Sequence, residues 1–140
     1  MSDTELTLAV AETVMGWKRW AKLPYKGRTR RLGFWRPPLW KPSDDYMEPV
    51  PPDILPWDGE PMFADAYRGP SFATDDAAAP SVVHKMRDLG FAWKCSLPLS
   101  TNPLFTSVFS PQVGSSSVAH CSTFARAVCE SALKAMKATI

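Results

Sequence analysis

The sequence predicts an α/β chain of the α+β type, organised as a single domain over residues 1–140. Apolar residues recur at helical spacing in three segments, and strict apolar–polar alternation follows the second of them. A hydrophobic share of 45% against a charged share of 21% is typical of a globular protein with one core. Because the strands are grouped together, the simplest layered arrangement is a small, mainly antiparallel sheet with the three helices on its faces.

Two of the helices are predicted near the ends of the chain. Residues 4–15 place small and apolar side chains at three-and-four spacing, and Gly16 stands where a left-handed residue ends a helix. Residues 122–137 repeat this spacing, with charged residues on the opposite side. The candidate N-terminal caps are Asp3 or Thr4 for the first helix and Ser122 or Thr123 for the last.

The middle helix is predicted over residues 75–89, and Gly90 is placed to end it. Pro80 has no amide hydrogen, so either the regular helix begins near Ala79 or its opening turn is distorted. The side-chain oxygens that can cap its start belong to Thr74, Asp75 and Asp76.

The predicted sheet follows the middle helix. Residues 91–99 alternate apolar and polar side chains, residues 104–109 are rich in β-favouring types, and the Ser-Thr-Asn-Pro sequence between them is a turn signal. The two segments therefore form an antiparallel hairpin, to which residues 117–119 add a little more strand.

A long insertion rich in proline and tryptophan is predicted over about residues 23–70. Ten of the 14 prolines lie there and exclude long helices and central strands. Trp35, Trp40 and Trp57 offer large surfaces to bury, so we expect this segment to wrap the body of the domain. Short edge strands are expected near residues 31–35 and 62–64.

Charge is segregated along the chain, although the net charge is only +2. Residues 18–41 carry nine Lys and Arg and no acid, whereas residues 44–65 carry seven Asp and Glu and no Lys or Arg. We call residues 18–41 the basic arm and residues 44–65 the acidic arm. Two explanations stay open. Either the two arms neutralise each other on the surface, or the basic arm is a site for an anion.

Sequence motifs for catalysis and for metal binding are missing. The chain has no Gly-rich phosphate loop, no serine elbow and no paired cysteines of the zinc type, so we expect neither an enzyme nor a cofactor. His120, Cys121 and Cys129 have the right chemistry for a metal, but their spacing does not let them converge. An odd number of cysteines, no secretory signal and no apolar run of membrane length predict a cytoplasmic protein.

A family resemblance is carried by three stretches: AVAETVMGW at residues 9–17, FATDDAAA at residues 72–79 with the VVHKM after it, and AVCESALKA at residues 127–135. Together they resemble the phage ABA sandwich domain family. The resemblance implies a three-layer helix-sheet-helix sandwich, an origin in a phage or prophage, and no established catalytic apparatus. A phage-encoded chain would act in the cytoplasm of the host cell.

The basic arm interleaves cations with tryptophans, the combination that holds phosphate and base. We therefore expect a small anionic ligand of the nucleotide type. The resemblance to phage proteins suggests that this ligand is a host immune signal, which the protein sequesters. A nucleic-acid-associated role and a protein-interaction role without a ligand stay as alternatives, and a homo-oligomer is left open. We expect no metal and no membrane contact. The predicted ligand-binding residues are Trp17, Arg19, Trp20, Arg30, Arg31, Trp35, Thr74 and Asp75.

Overall fold

The computed structural model describes residues 1–22, 32–41, 47–49 and 69–138. The chain divides into two compact units: residues 1–15 and 70–140 form the helical unit, and residues 16–69 form the strand unit. The strand predicted at residues 62–64 lies outside the described residues. In chain order the elements are α1 (Asp3–Thr13), β1 (Lys18–Lys22), β2 (Leu32–Arg36), β3 (Met47–Pro49), α2 (Ala79–Asp88), β4 (Ala92–Ser96), β5 (Phe105–Ser110), β6 (Ser117–Cys121) and α3 (Phe124–Ala138).

Helix α1 begins at a capping box. The Ser2 hydroxyl accepts a hydrogen bond from the Glu5 amide at 3.1 Å, and the Glu5 carboxylate accepts one from the Ser2 amide at 3.2 Å. This reciprocal pair satisfies two of the amides that a helix start leaves unpaired. The predicted caps, Asp3 and Thr4, are therefore wrong, because both residues lie inside the first turn.

Helix α2 begins at Ala79, which confirms the first of the two predicted starts. Pro80 lies in the first turn, where its missing amide hydrogen removes no helical bond. The cap residue is Ala78, and no side chain caps this helix. The predicted capping of α2 by Thr74, Asp75 or Asp76 is therefore wrong.

Strands β4, β5 and β6 form an antiparallel sheet with β5 in the centre. The predicted hairpin is confirmed, with Trp93 opposite Phe109 and Cys95 opposite Ser107. The third strand runs further than predicted, to Cys121, and pairs with β5 over five residues. Alternate residues of these strands face inward, so the sheet offers one apolar side to the helices.

Helix α3 is the central helix of the helical unit. It packs on β5 and β6 and also contacts α1 and α2. Neighbours on several sides explain why its buried residues are spread around the helix rather than confined to one stripe. Those residues are Ala125, Ala127, Val128, Cys129, Ser131, Ala132, Leu133 and Ala135.

A chain of polar contacts crosses the core between α3 and the sheet. The indole nitrogen of Trp93 donates to the Ser107 hydroxyl at 3.0 Å, and this hydroxyl lies 2.8 Å from that of Ser131. Ser131 also donates to the Ala127 carbonyl in its own helix at 2.8 Å. Ser107 and Ser131 are fully buried, so these bonds replace the water that both hydroxyls lose on folding.

The strand unit contains a second antiparallel sheet, in which β1 lies between β2 and β3. Strand β2 confirms the edge strand predicted near residues 31–35. Strands β1 and β3 were not predicted, and β1 begins before the point where the irregular insertion was expected to start. Each residue of β1 pairs with one of β2, from Lys18 opposite Arg36 to Lys22 opposite Leu32.

The fold class is α+β, as predicted, with three helices and a small antiparallel sheet in the described part of the helical unit. The second sheet is the main addition to the predicted architecture. Of the helices described, none combines the length and apolar character that a membrane crossing requires.

Candidate functional site

The structure divides the predicted ligand-binding residues between the two units. Two of them, Thr74 and Asp75, lie in the helical unit. Two others, Arg30 and Arg31, lie outside the described residues. The remaining four lie in the strand unit: Trp17, Arg19, Trp20 and Trp35.

One side of the sheet in the strand unit carries two cations next to each other. Lys18 on β1 is the register partner of Arg36 on β2, and directly opposed residues of antiparallel strands point to the same face. Lys18 is exposed and Arg36 is half-buried. Trp20 shares this side because it follows Lys18 by two residues in the strand. We call this side, defined by Lys18, Trp20 and Arg36, the cationic face.

Two tryptophans pack together at the cationic face. The ring centroids of Trp20 and Trp40 are 5.3 Å apart with an interplanar angle of 71°, an edge-to-face arrangement. A turn brings Trp40 back toward β2, since its amide donates to the Pro37 carbonyl at 3.1 Å. The guanidinium carbon of Arg36 lies 5.4 Å from the centre of the Trp40 ring, which is cation–π distance.

The indole N–H of Trp20 is buried and has no hydrogen-bond partner in the described structure. Buried donors are nearly always paired, and an unpaired one costs about 1–3 kcal/mol. Trp93 shows the usual arrangement, because its indole N–H donates to Ser107. Packing alone therefore does not explain why the indole N–H of Trp20 is buried without a hydrogen-bond acceptor.

Trp35 lies on the opposite side of β2 from the cationic face, because it neighbours Arg36 in the strand. Its ring is only 3% exposed, so it cannot present a stacking surface there. The backbone of Arg19 pairs with Trp35 in the sheet, and Trp17 is half-buried just before β1. The structure thus separates Trp20 from Trp35, two residues that were predicted to share a site.

Sequence reasoning placed Lys18, Arg36 and Trp40 in the basic arm but did not choose them as site residues. The Pro37-Pro38 pair after Arg36 indicates a turn, but the sequence KRWAK at residues 18–22 has no apolar–polar alternation that would indicate a strand. The turn signal is local, whereas the pairing of Lys18 with Arg36 depends on the register between two strands.

Thr74 and Asp75 make contacts within their own turn. The Asp75 carboxylate accepts a hydrogen bond from the Ala77 amide at 2.9 Å, and the Thr74 hydroxyl lies 3.5 Å from the Ser71 carbonyl. Both residues are exposed. Their observed contacts stabilise the turn that precedes α2, and their predicted role in ligand binding stays a prediction.

The helical unit contains a polar network around a buried thiol. Cys121 donates to the Glu130 carboxylate at 3.0 Å, Glu130 pairs with Arg126 at 3.0 Å, and Arg126 pairs with Asp3. Burial and the bond to Glu130 raise the pKa of Cys121 to about 12, and burial raises the pKa of Cys129 to about 12. Both thiols stay protonated near neutral pH, so neither is activated as a nucleophile.

His120 lies on the exposed side of β6, and its Nδ1 is 3.0 Å from the Thr106 hydroxyl. Its neighbour Cys121 points to the buried side, so the two side chains diverge. Across the residues that the structure describes, no three His, Cys, Asp or Glu side chains come together in a group that could hold a metal ion.

Comparison with known proteins gives a likeness of fold. No protein-family model and no curated protein matches the sequence. The chain is similar to a solved structure, a phage protein from Bacillus cereus ATCC 14579, with a TM-score of 0.53. The match covers 95% of this chain and 90% of the phage protein. The two sequences are 15% identical, so the likeness shows the fold alone. The resemblance to the phage ABA sandwich domain family is not confirmed.

Proposed function

We propose that this chain is a phage-encoded accessory protein that binds and sequesters a small anion of the nucleotide type on the cationic face. The observation that carries the proposal is the opposed pair of Lys18 and Arg36 beside the packed rings of Trp20 and Trp40. The likeness of fold to a phage protein supports the proposed phage origin and gives no information about the ligand.

The opposed cations favour an anion at this face. Like charges directly opposite each other on neighbouring strands destabilise a sheet. A phosphate accepts hydrogen bonds from both ammonium and guanidinium groups, so an anion at this pair gains a charge-assisted contact with Lys18 and another with Arg36. The register pair is therefore the position that we assign to the charge of the ligand.

The tryptophan pair favours a ligand that also carries a flat ring. Trp20 and Trp40 are both half-buried, so part of each residue stays accessible. Stacking of a base on an aromatic side chain contributes about 1–3 kcal/mol. A nucleotide combines a phosphate with a planar base, which matches the cations and the rings on this side of the sheet.

Titration of the full chain with linear and cyclic mononucleotides tests the proposal, with heat release and tryptophan fluorescence as readouts. We expect saturable one-to-one binding that Lys18→Glu weakens by about tenfold or more, since a charge-assisted bond is lost. Lys137→Glu is the matched control, because it makes the same charge change at an exposed position of α3. Absence of nucleotide binding below millimolar concentration overturns the proposal.

The same titration with short single-stranded DNA separates the alternatives. A nucleic-acid binder prefers the oligonucleotide to the mononucleotide and loses affinity steeply as salt rises. A site for one nucleotide shows the reverse preference and a weaker dependence on salt. A protein-interaction module binds neither ligand.

A further inference from the structure

We infer that the ring of the ligand carries a hydrogen-bond acceptor at its edge, and that the indole N–H of Trp20 recognises this acceptor. The inference rests on the proposed function. It adds the protein group that distinguishes a ligand ring with an acceptor at its edge from a ring without one. It is carried by the buried Trp20 donor, which has no partner within the described residues although it lies at the cationic face.

The chemistry of an indole limits what can satisfy it. Its N–H is a donor only, so the missing partner is an acceptor such as a carbonyl oxygen or a ring nitrogen. Nucleobases carry such atoms in the plane of the ring, whereas a hydrocarbon ring has none. A site whose polar group is left unpaired by the wrong ligand rejects that ligand strongly, because the unpaired group stays desolvated.

The Trp20 ring is held in a fixed position. Its backbone belongs to the central strand of the sheet, with Phe34 on one side and Pro49 on the other as register partners. Trp40 packs against the ring, and the Arg36 guanidinium lies over Trp40. These contacts orient the donor, and because the N–H is buried, a neighbouring group has to shift before a ligand atom reaches it.

Two probes test the contribution of the acceptor, and their comparison in Trp20→Phe separates it from that of the ribose, which only the nucleotide carries. Uridine 5′-monophosphate has a phosphate and a ring with carbonyl acceptors, whereas phenyl phosphate has a phosphate and a ring without them. We expect the full chain to bind the nucleotide about tenfold more tightly than phenyl phosphate. Trp20→Phe keeps an aromatic ring but removes the N–H, so it should abolish this preference by weakening binding of the nucleotide more than binding of phenyl phosphate. Trp93→Phe is the matched control and should retain the preference.

Nuclear magnetic resonance of the ¹⁵N-labelled chain observes the donor directly. The indole signal that disappears in Trp20→Phe identifies Trp20 among the six tryptophans. We expect its proton to move downfield with uridine 5′-monophosphate and to stay in place with phenyl phosphate. If the nucleotide binds while this signal and the affinity of Trp20→Phe are unchanged, the inference is overturned and the proposed function stands. If neither probe binds, the proposed function fails and the inference fails with it.

Discussion

The Asp76 carboxylate accepts a hydrogen bond from the backbone amide of Ala125 at 3.1 Å, although 49 positions separate the two residues in the chain. Ala125 is the second residue of α3. Asp76 thus satisfies one of the unpaired amides at the helix start and places negative charge at the positive end of the helix dipole. One side chain thereby ties the turn before α2 to the central helix of the helical unit.

Asp76→Ala should lower the free energy of unfolding by about 1 kcal/mol, the usual contribution of a helix cap. Asp76→Asn keeps an acceptor oxygen and should lower it less. Asp75→Ala is the control, because Asp75 bonds only within its own turn. Urea denaturation followed by circular dichroism measures all three variants, and equal losses for Asp75→Ala and Asp76→Ala would contradict the capping role.

The buried contact between Ser107 and Ser131 should appear as a coupling energy. Ser107→Ala leaves the Trp93 N–H without its acceptor and should lower the free energy of unfolding by about 1–3 kcal/mol. Ser131→Ala should lower it too, and the double variant should lose less than the sum of the single losses. Urea denaturation of the three variants gives the coupling. Strictly additive losses would show that the two hydroxyls stabilise the fold independently.

The three thiols should differ in their reactivity. Cys121 and Cys129 are buried with pKa values raised to about 12, whereas Cys95 is half-buried with a pKa that burial also raises. Because the thiolate is the reactive form, iodoacetamide near neutral pH should modify Cys95 first and the other two only after unfolding in urea. Peptide mass spectrometry gives the order, and early modification of Cys121 would contradict it.

The same pKa shifts predict that stability falls in alkaline solution. An ordinary thiol has a pKa of 9.0, so above that value the unfolded chain loses protons that folded Cys121 and Cys129 retain to about 12. The contribution of both thiols to the free energy of unfolding is therefore complete below pH 9 and is lost as the pH rises toward 12. Denaturation midpoints measured from about pH 8 to pH 10 should fall more steeply for the natural chain than for Cys129→Ala.

The helices and the hairpin could be predicted because their signals are local. Three-and-four spacing fixes α3, and alternation fixes β4, whatever the rest of the chain does. Strand β1 was missed because its sequence, Lys-Arg-Trp-Ala-Lys, is short and mostly charged. It is a strand because its backbone forms hydrogen bonds with β2 on one side and β3 on the other. The cap that Asp76 provides to Ala125 and the pairing of Lys18 with Arg36 depend on tertiary structure, which no local pattern contains.

Loss of an indole N–H should affect Trp20 and Trp93 differently. Both Trp→Phe changes remove similar ring volume, but Trp93 loses a bond to Ser107 whereas Trp20 loses a donor with no described partner. Trp93→Phe should therefore reduce the free energy of unfolding by about 1 kcal/mol more than Trp20→Phe does. Thermal denaturation compares the two variants in the absence of ligand. A larger loss for Trp20→Phe would mean that its N–H is already paired in the free protein.

Lys18→Glu should stabilise the free protein while it weakens binding of an anion. The change places a carboxylate opposite Arg36, and an opposite-charge pair across strands contributes roughly 0.2–1 kcal/mol where a like-charge pair is destabilising. Added salt should reduce the gain, because Lys18 is exposed and its interactions are screened.

This variant also separates the two explanations of the segregated charge. If the acidic arm at residues 44–65 neutralises the basic arm, Lys18→Glu replaces an attraction with a repulsion and lowers the melting temperature. If the cationic face is a site for an anion, the melting temperature rises in the free protein. Added nucleotide then stabilises the natural chain more than the variant, because stabilisation by a ligand grows with its affinity for the folded state. Lys18→Gln, which removes the charge without reversing it, should fall between the two in both measurements. A melting temperature that falls for Lys18→Glu, together with no effect of nucleotide on either chain, would assign the cationic face to charge neutralisation within the chain and not to a ligand.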